Sequence, residues 1–133
     1  MKPTKHARTN YRMLKPLIDG MNGDTHKRYE SGGYMPLTIE ALYQDGGCIV
    51  YSLTHYGEQN GDLMRDPDMT MKVDHEAGTV EPLEYQNDYM GLYQSVYRTI
   101  DGKRMYSPRL RTDLDNFLWQ WLQNIGEQGY ITA

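Results

Sequence analysis

"LTIEALYQDGGCIVYSLTHY", residues 37–56, is the stretch whose reading decides the fold. Leu37, Ile39, Ala41 and Tyr43 fall on one face of an extended segment, because strand side chains alternate. Asp45-Gly46 follows, and this pair accepts the positive φ angles that a tight hairpin requires. Residues 48–56 are then rich in β-branched and aromatic residues, which suit a half-buried pleated surface. The stretch is an antiparallel hairpin.

The pattern repeats downstream. "MTMKV" (69–73) alternates, "HEAG" (75–78) turns the chain, and "TVEPLEYQ" (79–86) extends it. "NDYMG" (87–91) turns it again into "LYQSVYRTI" (92–100), and Asp101-Gly102 is a second hairpin turn before "KRMYS". Short strands joined by tight turns favour an antiparallel meander.

Helical spacing appears at both ends. Leu14, Leu17, Ile18 and Met21 share one helical face from Asn10 onward. Pro16 inside that run costs ~3 kcal/mol, so the helix kinks at Lys15 or restarts with Pro16 in its first turn. Residues 1–9 read as a flexible tail, and the polar, glycine-rich residues 22–36 as a long loop. At the other end Leu110, Leu114, Phe117, Leu118, Trp121, Leu122 and Ile125 form an apolar stripe. Thr112 with Asp115 is one candidate cap, and Ser107 before Pro108 is the other. Gly126 or Gly129 ends the helix. The expected fold is therefore α+β: one domain over residues 1–133, an antiparallel meander sheet of five or six strands flanked by an N-terminal and a C-terminal helix. The helices cover one face. The other is partly open and carries tyrosines such as Tyr93 and Tyr97, which share a face of strand 92–100.

The 133 residues carry 38% hydrophobic and 24% charged residues, a globular composition. No apolar run is long enough for a spanning helix, no signal peptide is visible, and no membrane partner is expected. A lone cysteine, Cys48, excludes an internal disulfide. Together these features point to the cytoplasm of a bacterial or phage-infected cell. The formal net charge is −4, which lowers a nucleic-acid reading, because such binders carry a basic excess or stripe. The basic residues sit in small clusters, Lys2 to Arg12, Lys27-Arg28 and Lys103 to Arg111.

"GDLMRDPDM" (61–69) gathers Asp62, Arg65, Asp66 and Asp68 next to Glu58. Its spacing lacks the alternate ligands, central glycine and terminal Glu of a calcium loop. Asp66-Pro67-Asp68 suits a turn, and the segment reads as a polar connecting loop. A nuclease pattern of Pro67-Asp68 with Asp101-Gly102-Lys103 is weak, since Asp101-Gly102 is better explained as a hairpin tip. His6, His26, His55 and His75 lack zinc spacing. A Cys48 pair with His55 or His75 is less economical than a small residue at the start of a strand. No catalytic residue, metal or cofactor is expected.

"NGDLMRDPDMTMKVD", "YQNDYMGLYQSVY" and "DLDNFLWQWLQNI" together resemble a small, functionally uncharacterised domain family of phages, plasmids and conjugative elements of bacteria. The resemblance covers roughly residues 34–126. It implies an accessory protein of a mobile element and no assigned activity. It also suggests that Asp62, Arg65, Asp66 and Asp68 join Tyr85, Gln86, Asn87, Asp88 and Tyr89 in one polar edge of the sheet.

Trp119 lies about 140° from the centre of the C-terminal stripe. It either covers a neighbouring segment or anchors a partner, since Trp is enriched at binding hot spots. The leading expectation is a non-catalytic protein-interaction module, with an unidentified protein partner or a second copy of the chain. Its binding residues are Trp119, Tyr93, Tyr97, Arg65, Asp66, Asp68, Asn87, Asp88 and Tyr89. The alternative is a nucleic-acid-binding protein using the basic N-terminus with Tyr11, Tyr29 and Tyr34. A metal-dependent hydrolase ranks third and requires Asp62, Asp66 and Asp68 to converge.

Overall fold

A computed structural model describes residues 2–130. Helix α1 spans Ala7–Asp19. Strands β1 (His26–Tyr29), β2 (Leu37–Asp45), β3 (Cys48–Gln59), β4 (Asp62–Asp74), β5 (Thr79–Asn87) and β6 (Leu92–Ser95) follow. They pair in sequence order into a six-stranded antiparallel meander. Strands β7 (Tyr97–Ile100) and β8 (Lys103–Tyr106) form a separate hairpin, and α2 (Pro108–Gln128) closes the chain. The α+β fold expected from the sequence is the fold observed.

Alternation puts one row of side chains beneath the helices. Ile39 pairs with Leu53, and Leu53 with Met69; all three are fully buried. Tyr51, Met71, Val73 and Val80 extend this face, and Leu14, Leu17, Leu118, Leu122 and Ile125 meet it from the helices. Each such aliphatic side chain contributes about 1.5–3 kcal/mol by leaving water.

The two helices run in the same direction. Asn10 reaches Asp115 near their beginnings, while Met13 to Leu17 lie along Leu122 to Gly126 further on. Ser107 caps α2 by accepting from the Leu110 N–H at 3.2 Å, with Pro108 first in the helix. Gly129, at φ 81°, ends it. Asp115 is therefore free of capping its own helix and serves α1 instead. Its carboxylate accepts from the Thr4 hydroxyl at 2.6 Å and the His6 N–H at 3.0 Å.

Several expectations are corrected. Residues 4–9 are not a tail: Ala7 begins α1, and Thr4 and His6 dock on Asp115. The loop expected over residues 22–36 contains β1, whose "HKRY" pairs with Leu37–Glu40 as an edge strand. The loop expected around residues 58–68 is the end of β3 and the start of β4. Asn60 and Gly61, both at positive φ (53° and 84°), form the tip between them. Residues 92–100 are two strands, because Val96 turns inward and is 1% exposed. Tyr93 and Tyr97 consequently belong to different sheets and share no strand face.

Candidate functional site

β3 and β4 project beyond β2, which stops pairing at His55. The projecting arm, Tyr56–Gln59 against Asp62–Arg65, is braced by the turn after β5. Arg65 donates its backbone N–H and its Nε–H to Asp88 Oδ2, at 2.8 and 3.0 Å. The Asp88 N–H returns a bond to the Arg65 carbonyl at 2.8 Å. The Arg65 side-chain bond, followed by its backbone N–H, holds the Asp88 carboxyl below the usual range.

Asn87, 6% exposed, binds both ways. Its Nδ2 donates to Asp66 Oδ1 at 2.8 Å, and its Oδ1 accepts from the Met90 N–H at 3.2 Å. The Tyr89 hydroxyl donates to the Glu58 carbonyl at 3.1 Å. The Tyr89 ring lies on Gly57, where an added Cβ would meet the hydroxyl oxygen at 2.5 Å. Tyr93 donates to Glu84 at 2.8 Å. Around this network Leu63, Tyr89, Met90 and Tyr93 are 44–70% exposed. The structure thus brings Arg65, Asp66, Asn87, Asp88 and Tyr89 together, with Tyr93 beside them on β6.

Asp68 sits apart from Asp66 for a geometric reason. Tyr56 pairs with Arg65 and Thr54 with Asp68, so Asp66 and Pro67 together oppose the single residue His55. This bulge breaks the alternation. Asp68 pairs with Thr54, which is 2% exposed, on the face opposite Leu53 and Met69, while Asp66 turns to buried Asn87. Burial raises the Asp68 pKa, partly offset by a Thr54 hydrogen bond and by Arg65. Asp62, Asp66 and Asp68 do not converge: no group of three or more His, Cys, Asp or Glu among the described residues is placed to hold a metal.

The remaining candidates lie elsewhere. Trp119 is half-buried and stacks on His6, with ring centroids 4.8 Å apart. Tyr97 donates to Glu81, and burial with that bond pushes its pKa up to about 12. Asp101-Gly102 is a hairpin tip at φ 52° and 76°, with Lys103 exposed beside it. His75 is bonded to Tyr11 and Tyr51, and His55 Nδ1 to Trp121. Sequence reasoning weighed His55 only as a zinc ligand or a Cys48 partner and did not place it in the core. The alternation Tyr51, Leu53, His55 was the signal that placed it on the core face. "NG" at 60–61 was likewise a hairpin signal.

The edge sets a mutually bonded group of polar side chains beside exposed Leu63, Tyr89, Met90 and Tyr93. The fold and this edge define a small α+β domain, a six-stranded meander beneath two parallel helices with one braced polar edge. The chain belongs to the DUF6908 family, a domain of unknown function, whose family model matches residues 9–131. No curated protein and no solved structure matches the chain.

Proposed function

We propose that the protein is a non-catalytic protein-interaction module, acting as an anti-defence or regulatory accessory protein of a mobile genetic element. The braced polar edge supports the interaction module, while the mobile-element role rests on the sequence resemblance alone. Arg65, Asp66, Asn87 and Asp88 hold one another in place before any partner arrives, so little side-chain entropy is lost on binding. Leu63, Tyr89, Met90 and Tyr93 supply the exposed aromatic and Met area that interface centres favour.

The test is a pull-down from nuclease-treated bacterial lysate with the wild type, a Met90→Ser/Tyr93→Ala double variant and Trp119→Ala. A stoichiometric protein lost with the double variant and kept with Trp119→Ala places the contact at the edge. Loss with Trp119→Ala alone moves it to α2, and recovery of no specific protein rejects the reading.

A further inference from the structure

Residues 2–8 and 98–111 hold eight of the 14 lysines and arginines and one acid, Asp101. The two segments are far apart in sequence, and Lys2 and Arg111, 109 positions apart, meet in space. Arg111 Nη2 donates to the Lys2 carbonyl at 2.8 Å, and Arg111 Nε donates to Glu81 at 2.9 Å. Glu81 also accepts from Tyr97, which fixes the β7–β8 hairpin to the same point. Asp115 holds Thr4 and His6 beside α2. Of the eight cations, only Arg111 and Arg109 are in ion pairs among the described residues. Lys2, Lys5, Arg8, Arg98, Lys103 and Arg104 are exposed. On a chain of net charge −4 this is a concentrated basic end, the electrostatic footprint of a polyanion site.

Aromatic side chains interleave with these charges. The Arg104 guanidinium lies 4.6 Å from the centre of the Tyr97 ring, and Tyr106 stands 6.0 Å beyond it. Tyr43, Tyr97 and Arg104 line one recess of about 260 Å³, whose two carboxylates, Asp45 and Glu81, are paired with Lys72 and Arg111. Tyr43 is 56% and Tyr106 46% exposed. Exposed rings set among cations suit unpaired bases, which stack on them while the phosphates meet the charges. Paired bases offer no free faces to such rings. We propose that this basic end binds single-stranded nucleic acid. The phosphates lie on Lys5, Arg8, Arg98 and Lys103, and bases stack on Tyr106 and Tyr43. This site is separate from the polar edge and independent of the function proposed for it.

The test is fluorescence anisotropy of a labelled oligothymidylate titrated with the full chain at rising salt. Neutralising Arg98 and Lys103 together, or Lys5 and Arg8 together, as Gln should each flatten the log–log salt slope by about 1.4. Tyr106→Ala should weaken binding about tenfold and leave the slope unchanged. Met90→Ser/Tyr93→Ala should bind as the wild type does. All these positions are exposed, so unchanged thermal melts confirm folding. No oligonucleotide binding overturns the proposal. So does equal or tighter binding of the matching duplex, equal displacement by polyglutamate, or a slope indifferent to Lys5 and Arg8.

Discussion

The indole N–H of Trp121 donates to Nδ1 of His55 at 3.2 Å, tying the middle of α2 to the core face of β3. His55 is 7% exposed, and its ring also faces Tyr130, with centroids 5.6 Å apart. An imidazolium cannot accept this bond. Burial, with a smaller opposing effect from Asp66, lowers the His55 pKa from 6.5. The unfolded chain therefore takes up the proton first, so the folded state loses stability as pH falls below about 6.5. The melting temperature should drop between pH 7.5 and pH 5.5, and His55→Gln should flatten that dependence. Identical slopes for the two proteins would discard this account.

Asp115 joins the N-terminal segment to α2 through a carboxylate that is 1% exposed. Asp115→Ala leaves the Thr4 hydroxyl and the His6 N–H without their acceptor. Each unsatisfied buried group costs about 1–3 kcal/mol. Urea unfolding should show a loss of that order or more, and limited proteolysis should now cut within residues 2–9. Protection of that segment in the variant would contradict the docking described.

Gly20 ends α1 directly beneath Tyr29. A Cβ there would lie 2.0 Å from the Tyr29 hydroxyl oxygen, which donates to the Leu17 carbonyl at 2.8 Å. Gly20→Ala should displace β1 from α1 and cost about 1–3 kcal/mol. Tyr29→Phe keeps the ring, removes the bond and relieves most of the crowding, so the double variant should be milder than the sum of the two. Denaturant midpoints for the four proteins test this, and simple additivity would refute it.

Tyr97 should be the last tyrosine to ionise. Its pKa of about 12 lies above the ordinary 10.0, so the stability it contributes is complete below pH 10 and fades as pH rises towards 12. Spectrophotometric titration of the wild type against Tyr97→Phe should assign the highest-pH step to this residue. An unchanged titration curve would assign it elsewhere.

Strand alternation and hairpin turns made the sheet legible, because Leu37, Ile39, Leu53, Met69 and Met71 obey the period of two. The segments that escaped are those where the period fails. Two residues oppose one at His55, which disguised the start of β4 as a loop. Val96 turns the chain between two sheets without a Gly or Pro to announce it. β1 shows no apolar alternation and gains its order from pairing with β2 and from Tyr29 on α1. The polar edge was half legible. The acids and Asn87-Asp88-Tyr89 were visible as residues, but the Arg65–Asp88 and Asp66–Asn87 bonds depend on the register of β4 against β5. The link between Lys2 and Arg111 joins positions that no local pattern relates.

Of the helices that shield the sheet, α1 precedes the strands in the chain and α2 follows them. Until residues 108–128 leave the ribosome, Leu53, Met69 and Met71 have only α1 to cover them, and Asp115 is not there to receive Thr4 and His6. Such late, long-range closure is slow and leaves apolar strand surface open to aggregation. A chain cut short ahead of α2 should therefore expose the Leu53, Met69 and Met71 row and aggregate.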